Sequence, residues 1–101
     1  MPRLLADEEI KRMLRPLKGW KHEDKFITKT FSFPSFMDGI GFVDRVARIA
    51  EEQEHHPDAW IRYTTIKLEI QTHSEGGVTE WDIGLAKAIE EELRPRGMKR
   101  K

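Results

Sequence analysis

Cysteine is absent from the 101-residue chain. This absence excludes a disulfide framework, a thiolate zinc site and a cysteine nucleophile. It also fits a reducing compartment, and the acidic residues that soon follow Ala6 are not typical of a secretory signal peptide. We therefore expect a cytoplasmic protein.

Neither sign of charge is in excess, because eighteen basic residues balance eighteen acidic ones. A chain without net charge has no overall field to attract DNA or an anionic membrane surface. Long apolar runs are also lacking, so no segment is expected to cross a bilayer. The sequence thus predicts a protein with neither a nucleic-acid partner nor a membrane partner.

The length fits a single domain, which we assign to residues 1–101 with a basic tail over about 94–101. Apolar residues recur with helical spacing in three segments and alternate in four others, and turn residues separate the segments. Their order is helix, two strands, long helix, two strands, helix. This order predicts an α+β domain in which a four-stranded antiparallel sheet carries three helices on one face.

The predicted first helix covers about 7–17, and a strand pair follows within 20–33. The long helix covers about 36–54, the second strand pair about 59–63 and 66–72, and the last helix starts after residue 79. Ser35 and Thr79 are predicted to cap the two later helices, each with an aspartate three residues on. The long helix has two apolar stripes, so we expect a sheet and a further element to cover it.

The residues able to do chemistry cluster between Glu51 and Asp82. His55 and His56 follow the long helix and His73 follows a strand, so each lies where an element ends and sites are usually built. Histidine titrates near neutral pH, so such a cluster can supply both an acid and a base. Glu51 lies one helical turn before His55 and is predicted to orient that ring.

Two other interpretations of the histidines remain open from spacing alone. Histidines at helix C-termini interact favourably with the helix dipole and are often solvated caps. Two histidines and a carboxylate can bind iron or zinc, as in a metal-dependent hydrolase. However, helical metal ligands are spaced three or four residues apart, whereas His55 and His56 are adjacent. We therefore predict no metal site.

Three tryptophans, Trp20, Trp60 and Trp81, are candidates to stack on a planar ligand. Each is more typical of a core or an interface, because the large indole gains much from burial. Trp20 follows Gly19 and lies outside any apolar stripe. We therefore expect Trp20 to be the one that contacts a planar ligand.

A longer pattern joins the candidate residues into one motif. It consists of Glu51, His55-His56-Pro57, Tyr63, His73 and Asp82, separated by three, five, nine and eight residues. This motif resembles the signature of the pterin-4a-carbinolamine dehydratase family, whose members are also known as the dimerisation cofactor of a homeodomain transcription factor. The resemblance extends outward to Gly19-Trp20 and to 79–86, in the same order of elements.

The resemblance implies a dehydratase that converts 4a-hydroxytetrahydropterin to quinonoid dihydropterin and water, in the recycling of tetrahydrobiopterin. A pterin is then the small-molecule partner, and no cofactor is implied because no electrons move. The family also implies subunits joined through a continuous sheet, as a homodimer or a homotetramer. The alternative is a non-catalytic binding module that stabilises a partner's dimer, as a transcriptional coactivator would.

The resemblance also implies roles for individual residues. His55, His56 and His73 are the catalytic residues, and His55 and His73 lie on the two sides of the pterin C4a. The predicted substrate contacts are Glu54, His55, His56, Gln71, Thr72, His73, Ser74 and Trp20. Glu51 and Asp82 are predicted to orient the histidines. Which histidine is the acid and which the base stays open.

Overall fold

Within residues 2–93, three helices and a four-stranded antiparallel sheet make up the fold, as the sequence predicts. The computed structural model describes residues 2–93. The elements are α1 (Asp7–Leu14), β1 (Lys21–Glu23), β2 (Phe26–Ser32), α2 (Phe36–Gln53), β3 (Asp58–Arg62), β4 (Thr65–Ile70) and α3 (Glu80–Glu92), with a 3₁₀ turn at His73–Glu75. The predicted basic tail over 94–101 lies outside the described residues.

The sheet has the strand order β1-β2-β4-β3, and every neighbouring pair is antiparallel. The central pair is in a register that places Ile27 opposite Ile70 and Phe31 opposite Ile66. Side chains alternate across a strand, so these residues share one face of the sheet. That face carries the helices, and the resulting α+β architecture confirms the predicted fold class.

The hydrophobic core lies between this face and the three helices. Phe42 of α2 is fully buried, with its ring centroid 4.7 Å from that of Phe31. Leu85 and Ile89 of α3 are also fully buried. Burying a side chain of this size stabilises the fold by roughly 1.5–3 kcal/mol relative to leaving it exposed.

Both predicted helix caps are present. The Ser35 hydroxyl accepts a hydrogen bond from the Asp38 N–H at 3.1 Å, at the start of α2. The Thr79 hydroxyl accepts from the Trp81 N–H at 3.2 Å, at the start of α3. These bonds satisfy N–H groups that have no partner within the helix, which explains why α2 and α3 begin where they do.

Helix α1 is shorter than predicted, because it ends at Leu14 rather than near Leu17. Pro16 has no N–H to donate, so the hydrogen bonding of the helix cannot continue through it, although Arg15 itself keeps helical backbone angles. The chain instead makes a turn in which the Leu17 N–H bonds to the Leu14 carbonyl at 2.9 Å.

One of the two predicted apolar stripes of α2 is only partly covered by the described residues. Phe42, Val46 and Ala50 are buried, whereas Val43 is half-buried and Ala47 is exposed. The open stripe faces the edge strand β3, whose five residues are all exposed. Helix α2 packs against β4 and against α3, as expected, but residues 2–93 leave the stripe with Val43 and Ala47 partly uncovered.

Candidate active site

The end of α2 decides where the two adjacent histidines lie. Glu54 adopts a left-handed conformation with φ 54°, and the helix stops there. The His55 N–H still bonds back to the Ala50 carbonyl at 3.0 Å, and Pro57 prevents the helix from resuming. His55 and His56 therefore follow the helix rather than belonging to it, and their side chains take different directions.

His55 turns toward the first turn of α3, where its Nε2 lies 2.6 Å from Oδ1 of Asp82. The His55 side chain is mostly buried and that of Asp82 is completely buried. A short hydrogen bond between an imidazole and an ionised carboxylate is among the stronger ones in proteins. With the carboxylate ionised, Nε2 must be the donor, because a carboxylate can only accept.

The second ring nitrogen of His55 keeps access to solvent. No described residue bonds to Nδ1, and none of the buried side-chain polar atoms in residues 2–93 lacks a partner. Nδ1 is therefore not sealed in the interior. A histidine held by Nε2 on a buried carboxylate, with Nδ1 open, is arranged to exchange a proton with a bound molecule.

The other oxygen of Asp82 is held by α3 and by the end of β4. Oδ2 accepts the Thr79 N–H at 2.8 Å and the Thr72 hydroxyl at 2.9 Å. The Thr72 and Thr79 hydroxyls are 2.7 Å apart, and both side chains are buried. Asp82 thus joins the end of α2, the end of β4 and the start of α3 in one buried network.

Trp81 borders this network from outside. Its side chain is 51% exposed. Its ring meets that of His55 edge to face, with centroids 5.9 Å apart and planes at 69°. An indole exposed to solvent beside a histidine offers a flat apolar surface for a planar ligand.

His56 pairs with Glu51 rather than joining the buried network. Its Nε2 lies 2.7 Å from Oε2 of Glu51, and both side chains are exposed. The expected pairing of Glu51 with His55 is therefore corrected. Spacing along an ideal helix suggested that pairing, but the left-handed Glu54 ends the helix and turns His55 toward α3.

His73 opens the 3₁₀ turn that follows β4, and its side chain is exposed. It directly follows Thr72, whose hydroxyl is bonded to the same carboxylate as His55. The structure thus links His55 to the backbone beside His73 through Asp82. Among residues 2–93 no hydrogen bond or ring contact joins the His73 ring or the His56 ring to that network. A shared pocket for all three rings stays a prediction.

The remaining predicted ligand contacts lie at the end of α2 and in the segment after β4. Glu54 is exposed at the end of α2, and Gln71 is half-buried after β4. Ser74 is exposed in the 3₁₀ turn. Thr72 differs from these, because its hydroxyl, its N–H and its carbonyl all have protein partners. Thr72 therefore holds Asp82 in place rather than offering a polar group to a ligand.

Trp20 lies in the hydrophobic core, where it is only 5% exposed. Its Nε1–H donates to Glu90 at 2.9 Å, and Lys29 donates to the same carboxylate oxygen at 2.7 Å. No described contact joins Trp20 to a histidine of the motif. The predicted contact between Trp20 and a ligand stays a prediction, and Trp81 is the tryptophan whose ring contacts His55.

The described residues contain no group of three or more histidine, cysteine, aspartate or glutamate side chains arranged to hold a metal ion. Among the same residues, no helix is both long enough and apolar enough to span a bilayer.

The sequence profile of the family described as pterin 4 alpha carbinolamine dehydratase matches residues 3–92. The chain belongs to this family. A relative from Sulfolobus acidocaldarius is 47% identical over 85 residues, which cover 84% of this chain and 93% of the relative. A relative from Mycobacterium avium is 45% identical over 86 residues, covering 85% and 92%. Both carry the provisional name pterin-4-alpha-carbinolamine dehydratase.

Two solved structures share the fold of this chain. A crystal structure from Brucella melitensis, described as a transcriptional coactivator/pterin dehydratase, matches with a TM-score of 0.84 at 36% identity, over 88% of this chain and 97% of that one. A pterin dehydratase-like RuBisCO assembly factor of the alpha-carboxysome matches with a TM-score of 0.58 at 20% identity, over 71% and 83%. The second likeness shows the fold alone.

Sequence reasoning gave Thr79 only a capping role and preferred Trp20 to Trp81 as the residue that contacts a ligand, whereas Thr79 and Trp81 both lie at this candidate site. Both carried a signal, since Thr79 was predicted to cap α3 together with Asp82 and Trp81 is the neighbour of Asp82. A residue beside a buried carboxylate that holds a histidine is a candidate for the same site.

Proposed function

We propose that this chain is a dehydratase that acts on 4a-hydroxytetrahydropterins and releases quinonoid dihydropterin and water. The observation that carries the proposal is the bond between His55 and the buried Asp82, two residues of the family motif that lie 27 positions apart. A role in recycling tetrahydrobiopterin and a cytoplasmic location belong to the same proposal.

The reaction needs one proton donor and one proton acceptor. The hydroxyl on C4a leaves as water, and the neighbouring ring nitrogen loses its proton as the new double bond forms. Hydroxide is a poor leaving group, so an acid must protonate it as the bond to C4a breaks. A base must accept the proton from nitrogen. Atoms and charge then balance without an oxidant or a reductant.

Histidines suit both tasks, because an imidazole can accept or donate a proton near neutral pH. In the proposal, His55 exchanges a proton through Nδ1 while Asp82 holds Nε2. His73 serves the opposite side of C4a from the 3₁₀ turn. His56 contacts the pterin and is oriented by Glu51. Either His55 or His73 can act as the acid.

The substrate contacts in the proposal combine an apolar surface with polar groups. The exposed indole of Trp81 stacks on the flat pterin ring beside His55. Glu54, Gln71 and Ser74 bind the polar edge of the ring. A site of this type, mostly apolar with a few placed polar groups, is typical for a small planar ligand.

The direct test is a stopped-flow assay with synthetic 4a-hydroxytetrahydropterin and a chelator present. His55→Ala and His73→Ala should each lower kcat about a hundredfold or more, the usual scale for general acid–base groups. His22→Ala is the matched control, because His22 is the fourth histidine and lies on β1, outside the motif. Activity equal to wild type in the His55 and His73 variants would remove both assignments.

A non-catalytic role is the second candidate, and the open stripe of α2 favours it. Val43, Ala47 and Ala59 line a mainly apolar groove between α2 and β3, and Glu51 and His56 line it as well. Such a groove could receive a segment of a partner protein. The Brucella melitensis relative is described as a coactivator as well as a pterin dehydratase. A binding module predicts that partner binding survives the loss of all three histidines, whereas dehydration does not.

The proposal also includes self-association of the chain through β3. Strand β3 is an edge strand, and its large side chains Trp60 and Ile61 are 49% and 48% exposed. An exposed apolar edge is a liability in a monomer, because its backbone groups can pair with another strand. Pairing of β3 with β3 of a second subunit would extend the sheet and cover this edge.

A further inference from the structure

We propose that Thr72 and Thr79 form a directed hydrogen-bond relay that positions Asp82, and that Asp82 in turn positions His55. This inference rests on the proposed dehydratase function and assigns two positioning residues to its site. Neither threonine contacts the reacting atoms in this scheme. Their effect passes through the carboxylate.

The directions of the bonds follow from a count of protons. A hydroxyl has one proton to donate. Thr72 gives its proton to Oδ2 of Asp82 at 2.9 Å. The contact of 2.7 Å between the two hydroxyls must then use the proton of Thr79, with Thr72 as acceptor. The Trp81 N–H supplies the bond that Thr79 accepts, at 3.2 Å.

The relay therefore runs one way, from the backbone of α3 through Thr79 and Thr72 to Oδ2 of Asp82. A second donor, the Thr79 N–H, meets the same oxygen at 2.8 Å. Two donors on Oδ2 fix the rotation of the carboxylate and leave Oδ1 for Nε2 of His55. A donor fixed at Nε2 leaves Nδ1 as the nitrogen that exchanges protons.

The loss of one of these hydrogen bonds should have a measurable effect, because the groups that form them are buried. Asp82 and Thr79 are fully buried and Thr72 nearly so, so water cannot replace a lost donor at little cost. A carboxylate with only one donor on Oδ2 rotates more freely. Its Oδ1 is then no longer held opposite Nε2 of His55. The expected consequence is a mixture of His55 tautomers and a slower proton transfer.

A substitution of Thr72 tests the relay without removing the cap of α3. Thr79 also caps α3, so its loss would weaken the helix as well as the relay. The Thr72 hydroxyl has no bonds among the described residues other than those to Asp82 and Thr79. Thr72→Val removes this hydroxyl and keeps the shape of the side chain, and Thr72→Ser restores it.

Thr28→Val is the matched control. Thr28 is also a buried threonine, and its hydroxyl donates to the Leu68 carbonyl at 2.7 Å. It makes none of the contacts that build the Asp82 network. Thr28→Val removes one buried hydrogen bond, whereas Thr72→Val removes two, one of them to a carboxylate, so a larger loss in the urea midpoint is expected for Thr72→Val.

The first measurement is the His55 tautomer, read from long-range ¹H–¹⁵N spectra of the imidazoles without substrate. The spectrum of His55→Ala assigns the signal. Wild type, Thr72→Ser and Thr28→Val should show the Nε2–H form, and Thr72→Val should show both forms. A pure Nε2–H form in Thr72→Val would overturn the relay, whether or not the protein dehydrates pterins.

The second measurement is the dehydratase assay. Thr72→Val should lower kcat about tenfold with KM changed less than about threefold, because the lost bond acts on proton transfer rather than on binding. Thr72→Ser should recover most of kcat, and Thr28→Val should match wild type. Equal kcat in the two valine variants would contradict the relay. Absence of activity in wild type would contradict the proposed function alone.

Discussion

The indole of Trp81 is placed so that a planar ring could lie against it next to His55. It is half exposed, although a tryptophan gains more than most residues from burial. Its exposed ring contacts His55 edge to face. In the proposed site it should contribute to binding and have little effect on proton transfer.

We predict that Trp81→Ala raises KM for the 4a-hydroxytetrahydropterin about tenfold. The stacking of a nucleic-acid base on an aromatic side chain is worth on the order of 1–3 kcal/mol, and a pterin ring is of similar shape. The kcat should fall far less, because interactions equal in ground and transition state affect KM. Trp81→Phe should retain most of the affinity. Trp60→Ala removes an equally exposed indole from β3 and serves as control. A KM unchanged in Trp81→Ala would exclude the indole from the site.

Single residues also show where sequence reasoning reaches its limit. The motif identified His55 and Asp82 as members of one site, and their contact agrees with that. The partners of the histidines could not be read from spacing, because one residue in the left-handed region, Glu54, redirects both side chains. Such a conformation is uncommon for a residue other than glycine, and no local signal indicated it.

At the scale of an element, the N-terminus of α1 is stabilised by an ion pair from the segment before it. Arg3 donates from both terminal nitrogens to the two carboxylate oxygens of Glu9, at 3.0 and 2.6 Å. The Ala6 N–H donates to Glu9 at 2.9 Å. The same segment is attached to the chain before α3 by the Leu5 N–H, which bonds to the Val78 carbonyl at 2.9 Å.

The hydrogen bonds from Arg3, followed by that from the Ala6 N–H, lower the pKa of Glu9 from an ordinary 4.5 to about 2. A lowered pKa stabilises the folded state above the ordinary value, and this contribution is lost as the pH falls from 4.5 through 2. We predict that Arg3→Ala raises the pKa of Glu9 toward 4.5 and removes this part of the acid sensitivity.

The measurement is a titration of the Glu9 side-chain carboxyl by ¹³C NMR, together with urea midpoints between pH 4.5 and pH 2. Arg48→Ala is the control, because Arg48 forms an exposed ion pair with Asp44 on α2, away from this segment. That control should leave the Glu9 titration unchanged. A wild-type Glu9 that titrates near 4.5 would refute the ion pair in solution.

Helices α2 and α3 were predicted nearly to the residue, because their starts depend on local chemistry. Ser35 and Thr79 each supply the hydroxyl that a helix start requires, and Pro57 follows the end of α2. The 3₁₀ turn at His73–Glu75 was not predicted. Its single turn is too short to show a helical period, and it forms because the Thr72 N–H bonds to the Gly77 carbonyl and closes a loop.

At the scale of the whole molecule, the two edges of the sheet differ. Strand β1 lies beside α1, whereas all five residues of β3 are exposed. The alternation of the sequence predicted strands but could not show which of them lies at an edge, because strand order depends on contacts distant in sequence. The exposed stripe of α2 and the exposed β3 form one continuous uncovered region, with the groove between them.

This arrangement leads to a test of the proposed self-association. Ile61 pairs with Ile66 in register and lies near the middle of β3, where a partner strand would cover it. A lysine on an edge strand opposes pairing with another strand, because its charge would be buried in the joined sheet. Ile61→Lys should therefore yield a monomer at concentrations where wild type is a dimer or tetramer, as measured by sedimentation equilibrium.

Leu4→Lys is the matched control for that experiment, since Leu4 is 50% exposed but lies in the segment before α1. It adds the same charge and removes a similar apolar side chain, so the mass of this variant should equal that of wild type. Circular dichroism should show unchanged secondary structure in both variants, because Ile61 is exposed and lies outside the core cluster. A wild-type chain that sediments as a monomer, or an Ile61→Lys chain that keeps the wild-type mass, would place the subunit contact elsewhere than β3.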